Sequence, residues 1–280
     1  MLSRFKYYKP QDLGEAVSYL QKEDKAFILA GGTDLMIMLR RNFIDAEHII
    51  DIKALPETKT FEFKQGAGLT IGASVNVNRV VDSEIVKAKY PALNQAASSL
   101  ASFQLRNRAT VVGNICNASP GADLPPALLV YDTLVNIAGP DGMRQVPLHE
   151  FFTGVKRTVL QKGEIVVSIQ LADPGEGDKS TYLRQTRLRG HDLATVGVAS
   201  RVKADGNVAI GICAVAPTPL RLFALEDKIN QRGLSEETIL WAAEEIKEHI
   251  KPISDVRSSA TYRLAMASAL LKRGLLSLIS

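Results

Sequence analysis

Residues 104–133 read QLRNRATVVGNICNASPGADLPPALLVYDT. Within them Thr110 to Ala122 carries no charge, is rich in small residues, and runs into Asp123, Leu124 and the Pro125-Pro126 pair. Glycine, asparagine and proline at that density resist a regular helix or strand, so the stretch is expected to be a loop. A long uncharged loop inside a folded unit points to function. Gly113, Asn114, Asn117, Ser119 and Gly121 offer neutral donors and acceptors, which suits a large polar ligand held without charge pairing.

A second glycine-bearing turn lies upstream. Ala26 to Ala30 (AFILA) reads as a short apolar strand and Leu35 to Leu39 as an apolar helical run, with Gly31-Gly32-Thr33-Asp34 joining them. Glycines at a strand-to-helix turn let backbone N–H groups approach an anion, and the Thr33 hydroxyl adds a donor, so a diphosphate fits. Taken alone, two such glycines more often make only a turn. No G-x-G-x-x-G follows a strand and no Gly-Lys-Ser/Thr occurs, which disfavours a nicotinamide-type Rossmann domain and a Walker loop.

Around these turns the periodicity predicts a helix through Leu13, Ala16, Val17 and Leu20, strands at His48–Ile52 and Leu69–Ala73, and helices from Val77 and over Pro91–Ala101. Strands at Thr133–Ile137 and Glu164–Gln170 complete one α+β unit. Asp173-Pro174-Gly175-Glu176-Gly177-Asp178 is the best linker, giving expected domains 1–173 and 179–280. The second begins with strands Thr181–Gln185, Thr195–Val202 and Val208–Ala216 and then holds only helices. One is capped by Ser235 and buries Ile239, Ala242, Ala243, Ile246 and Ile250. The last runs from Ser258 toward Arg273, with Gly274 as its stop.

Composition removes several function classes. With 46% hydrophobic and 23% charged residues the chain is neither disordered nor collagen-like. Its 34 basic and 30 acidic residues leave a net charge of only +4, scattered apart from Arg184, Arg187 and Arg189, so no nucleic-acid partner is expected. No run reaches the about 18 apolar residues of a membrane span. The N-terminus MLSRFKYYKPQD lacks a signal-peptide core, and a cytoplasmic chain is expected. Cys116 and Cys213 are isolated, and the segment from His149 to Thr153 lacks the second histidine of a zinc-protease motif, so no metal site is expected and His149 reads as a surface residue. No triad or carboxylate pair marks a catalytic residue.

Six stretches then carry a family resemblance: AGGTDL (30–35), IGA (71–73), residues 104–133, LRGHDLATVGVA (188–199), AVAPTPLR (214–221) and SDVRSSATYR (254–263). In order and over essentially the whole chain they resemble the FAD-binding medium subunit of the molybdenum hydroxylases, the family of xanthine dehydrogenase and carbon monoxide dehydrogenase. The resemblance implies an α+β fold: a vanillyl-alcohol-oxidase-type (PCMH) FAD-binding domain of two α+β subdomains, then a C-terminal domain with a small antiparallel sheet and a helical bundle. By motif, Ala30, Gly31, Gly32, Thr33 and Asp34 would hold the FAD diphosphate, flanked by Leu29 and Leu35. Thr110, Gly113, Asn114 and Asp123 would line the second cofactor loop, with Ala109, Asn117 and Ala122 beside them and Asp123 on a cofactor hydroxyl. Ile165 and Val166 would lie against flavin or adenine and Arg184 near the flavin; Ile71 and Ala101 join the same site, while Asp192 reads as structural.

Two departures stand out. The family often has two glycines before the asparagine where this chain has Val112-Gly113-Asn114, and the inserted four-cysteine cluster of the benzoyl-CoA reductase-like branch is missing. The implied role is electron transfer through non-covalent FAD, with the molybdenum cofactor and the [2Fe-2S] clusters only on partner subunits. Those partners would be a small [2Fe-2S] subunit and a large molybdopterin subunit in a dimer of heterotrimers, with NAD or another acceptor and a xanthine-type substrate. The rival readings are a stand-alone flavin oxidoreductase of the same fold and a non-catalytic assembly subunit that has lost FAD.

Overall fold

The computed structural model describes residues 4–188, 190 and 192–280; Arg189 and His191 of the expected motifs lie outside the described residues. A small parallel sheet comes first, built from β1 (Lys6–Tyr8), β2 (Ala26–Leu29) and β3 (His48–Asp51) in the order β1-β3-β2. Two helices make its crossovers, α1 (Leu13–Lys22), capped by Asp12 accepting from the Glu15 N–H at 2.8 Å, and α2 (Leu35–Arg40). Parallel neighbours need such crossovers, and this one leaves the glycine turn at the C-terminal end of β2.

The second sheet has five antiparallel strands: β4 (Phe61–Lys64), β5 (Gly68–Gly72), β6 (Leu134–Gly139), β7 (Gly142–Pro147) and β10 (Ile165–Leu171), in the order β4-β5-β10-β6-β7. Between β7 and β10 a two-stranded hairpin is formed by β8 (Phe152–Gly154) and β9 (Arg157–Thr158). β10 lies at the centre, all but Gln170 buried, as its run of branched residues requires. The helices between β5 and β6 are α3 (Val77–Asp82), α4 (Glu84–Lys89), α5 (Pro91–Ser99), α6 (Phe103–Arg106), α7 (Val111–Cys116) and α8 (Leu124–Leu129).

The long uncharged stretch is therefore not the irregular loop that its composition suggests. Thr110 N-caps α7 by accepting from the Gly113 N–H at 3.0 Å, and Val111, Val112 and Ile115 are buried in the main core. Packing of those three outweighs the weak helix propensity of Val, Gly and Asn. Ala118, with φ 44°, turns the chain out of the helix. Pro125 and Pro126 occupy the first turn of α8, where a missing N–H costs nothing.

A four-stranded antiparallel sheet follows the linker, in sequence order: β11 (Lys179–Gln185), β12 (Val196–Val202), β13 (Val208–Cys213) and β14 (Leu220–Arg221). Against it pack α10 (Phe223–Arg232), α11 (Glu236–Glu245) and α12 (Ala260–Ile279), with Ser235 capping α11 as expected. Gly274 does not stop the last helix, which continues to Ile279. A Cβ there would stand 3.3 Å from Ser200 Oγ, so this glycine lets the helix approach β12 closely. No helix of the described residues is long and apolar enough to cross a membrane.

Candidate functional site

The two glycine-bearing turns meet. A Cβ on Gly31 would lie 2.2 Å from the Arg108 carbonyl oxygen, so the first turn packs backbone to backbone on the residues leading into α7. Gly32 has φ 75°, the left-handed region that favours glycine. A side-chain chain of bonds crosses between the turns: Asn117 Nδ2 donates to Asp34 Oδ1 at 3.0 Å, and Lys156 Nζ donates to Asn117 Oδ1 at 2.7 Å. Lys156 sits on the turn of the β8–β9 hairpin, whose backbone N–H at Lys156 bonds the Ala118 carbonyl at 3.0 Å.

Polar groups in this cleft are left open. Among the described residues, the N–H groups of Gly31, Gly32, Thr33 and Asp34 have no hydrogen-bond acceptor. Asn114 Oδ1 is buried without a partner. A buried amide oxygen without a donor costs roughly 1–3 kcal/mol, which a ligand donor would offset. Three non-glycine residues beside these segments, Ala118 (φ 44°), Lys156 (φ 57°) and Ala214 (φ 64°), also adopt left-handed backbone, the Lys156 N–H bonding the Ala118 carbonyl and the Ala214 N–H the Pro120 carbonyl.

The remaining expected residues fall in different places. Leu29 to Thr33 are half-buried and Asp34 is exposed, while Leu35, Ala109 and Thr110 are buried. Ala101 is half-buried, its carbonyl within 3.4 Å of the Arg106 guanidinium, which also bonds the carbonyls of Ser98 and Leu100. Ile71, Ile165 and Val166 lie in the central core with exposures of 0–3%, inside paired strands. A β-bulge follows Val166, and α7 packs on this strand. Bulges of this kind re-aim a strand beside a site.

Asp123 is buried next to Ala122, and both its oxygens have partners: Tyr182 Oη donates at 2.7 Å and Arg184 Nη1 at 3.0 Å. Burial raises its pKa, with Arg184 and Tyr182 opposing that shift. Asp192 instead organises its own turn, accepting from the N–H groups of Arg187, Leu188 and Leu193. His149 is 39% exposed in its side chain and packs edge-on to Phe223. Sequence reasoning missed Tyr182, Arg106 and Lys156. Tyr182 and Lys156 reach the site from elements distant in sequence, and Arg106 lay unremarked inside the quoted stretch.

Comparison with known proteins bears directly on this cleft. Residues 3–173 match the family described as FAD binding domain in molybdopterin dehydrogenase, and residues 181–278 match the CO dehydrogenase flavoprotein C-terminal domain. The chain belongs to the FAD-binding subunits of the molybdenum hydroxylases. It is 35% identical to the carbon monoxide dehydrogenase medium chain of Hydrogenophaga pseudoflava, over 97% of this chain and 96% of that one. A xanthine dehydrogenase FAD-binding subunit of Escherichia coli O157:H7 is 32% identical, over 95% and 93%. Among solved structures, a chain of the Hydrogenophaga pseudoflava carbon monoxide dehydrogenase lacking the Mo-pyranopterin moiety superposes with TM-score 0.93, at 34% identity over 100% of this chain and 98% of that one. The fold is thus the PCMH-type FAD-binding domain followed by the flavoprotein C-terminal domain.

FAD is the cofactor of this family, and the residues present fit it. Unpaired N–H groups on the Gly31–Asp34 turn suit a diphosphate, and the orphaned Asn114 oxygen suits a donor on a large polar ligand. The molybdenum cofactor and iron-sulfur clusters belong to partner subunits of this family.

Proposed function

We propose that this chain binds FAD non-covalently between the Ala30–Asp34 turn and the Ala109–Asp123 segment and passes electrons from a partner's [2Fe-2S] clusters to NAD or another acceptor. The unsatisfied polar cleft carries this reading. Bound flavin supplies the electron-accepting ring chemistry, and the protein contributes binding, orientation and control of water. Gly31, Gly32 and Thr33 offer N–H donors to the diphosphate, Asn114 an acceptor, and Arg184 a positive charge fixed by Asp123. Leu29, Leu35, Ile71, Ala101, Ile165 and Val166 shape the walls. Burial holds the Cys116 thiol protonated, its pKa raised to about 12, which disfavours a thiolate link to flavin.

The reading extends to a two-domain chain, 1–173 and 179–280, in a cytoplasmic dimer of heterotrimers with a [2Fe-2S] subunit and a molybdopterin subunit. Relatives named for carbon monoxide, xanthine, glyceraldehyde, caffeine and nicotinate match this chain over at least 95% of its length at 25–35% identity. One subunit design serving such unlike substrates supports a substrate site outside it. Carbon monoxide and purines, the latter expected from the sequence, are the first two substrate classes to assay.

Co-expression with the two partner subunits tests the proposal. A yellow complex holding iron and molybdenum, whose colour enters the supernatant on acid precipitation, supports it. A colourless chain, or one that oxidises a purine unaided, overturns it.

A further inference from the structure

We propose that Lys156 is the counter-cation of the FAD diphosphate, delivered to the first glycine turn by the β8–β9 hairpin. The proposal rests on the reading that Gly31–Asp34 holds that diphosphate.

Electrostatics of the turn call for a cation. A diphosphate approaching the open N–H groups of Gly31 to Asp34 meets the Asp34 carboxylate, and like charges at such range repel. Lys156 supplies the opposite sign where it is needed: its ammonium bonds Asn117 Oδ1 at 2.7 Å, and that same amide bonds Asp34 at 3.0 Å. The lysine backbone is independently fixed, its N–H bonded to the Ala118 carbonyl at 3.0 Å and its φ at 57°. A left-handed lysine is costly and is kept where surrounding structure over-determines it.

The ammonium also lacks an anion of its own. Among the described residues no carboxylate lies within 4.0 Å of it, and its one hydrogen-bond acceptor is the neutral Asn117 amide oxygen. Lys156 is exposed as a residue, yet desolvation lowers its pKa, with Asp34 pulling the other way. A partly desolvated cation held on a neutral amide, beside donors that await an anion, is half of an ion pair. The diphosphate completes it.

Binding of FAD and of riboflavin, which has no phosphate, by the full chain separates a charge contact from a structural role. Lys156→Gln should weaken FAD roughly 10- to 100-fold, leave riboflavin within about threefold, and flatten the salt dependence of FAD binding; Lys156→Arg should retain most FAD affinity. Equal weakening of FAD and riboflavin by Lys156→Gln, or unchanged FAD affinity, would overturn the proposal. A wild-type chain that binds no FAD would instead remove the underlying cofactor reading.

Discussion

The candidate FAD cleft and the seam between the two halves of the chain are built on opposite rules. At the seam, away from the cleft, buried guanidiniums have carboxylates: Arg201 pairs with Asp178, and Arg221 with Glu226. Arg201 also bonds the Val130 carbonyl at 3.1 Å, and Arg221 bonds the Leu129 carbonyl at 2.6 Å and Asp132 at 2.9 Å. In the cleft, by contrast, backbone donors, an amide oxygen and an ammonium stand without full partners. A seam must satisfy itself because nothing else arrives, whereas a ligand site keeps groups open for what it binds.

The largest effect should come from the seam. Arg201→Met leaves the Asp178 carboxylate without its cation, held only by the Gly175 and Ala204 N–H groups, and should destabilise the chain by roughly 3–5 kcal/mol in urea unfolding. A loss under about 1 kcal/mol would show that water reaches the seam and that the contrast is false.

Gly31→Ala acts on the cleft through packing. Its Cβ would stand 2.2 Å from the Arg108 oxygen, so the two turns must part. The expected cost is about 1–3 kcal/mol of stability, accompanied by at least roughly tenfold weaker FAD binding, because donors on the displaced turn lose their aim. Calorimetry with and without FAD reads both, and unchanged affinity would mean that the turns do not act together.

Asn114→Ala should separate function from stability most cleanly. Since its Oδ1 has no partner within the protein, removing it relieves an unpaired buried oxygen, and the FAD-free chain should be at least as stable as the wild type. FAD affinity should fall roughly 3- to 10-fold. A large loss of stability in the FAD-free chain would place the side chain in the fold instead.

The smallest effect is in pH. Desolvation lowers the Lys156 pKa below the ordinary lysine value of 10.5 in the FAD-free chain, and an adjacent diphosphate favours the charged form. Binding then takes up a proton above the depressed value, so FAD affinity should decline as pH rises toward 10.5. In Lys156→Arg that decline should shift to higher pH, and identical titrations of the two proteins would remove the lysine from the site.

Local patterns carried much of the architecture. The strand at Ala26, the glycine turn after it and the Ser235 cap all follow from neighbours in sequence, since alternation, φ freedom and capping act within a few residues. The family motifs pointed to the two segments proposed to hold the cofactor. What they misjudged was α7 and Gly274, where burial of Val111, Val112 and Ile115 and contact with Ser200 outweigh local preference.

From its residues alone the chain was legible as an α+β flavoprotein subunit with two candidate cofactor segments, because glycine turns and motif order are local properties. Packing alone sets that Asp34, Asn117 and Lys156 form one line of bonds, that Asp123 faces Tyr182 and Arg184, and that Ala118 and Ala214 turn left-handed beside these segments. Those relations join residues 39 to 83 positions apart, as between Lys156, Asn117 and Asp34, and no pattern along one segment can specify what packing brings to it from another.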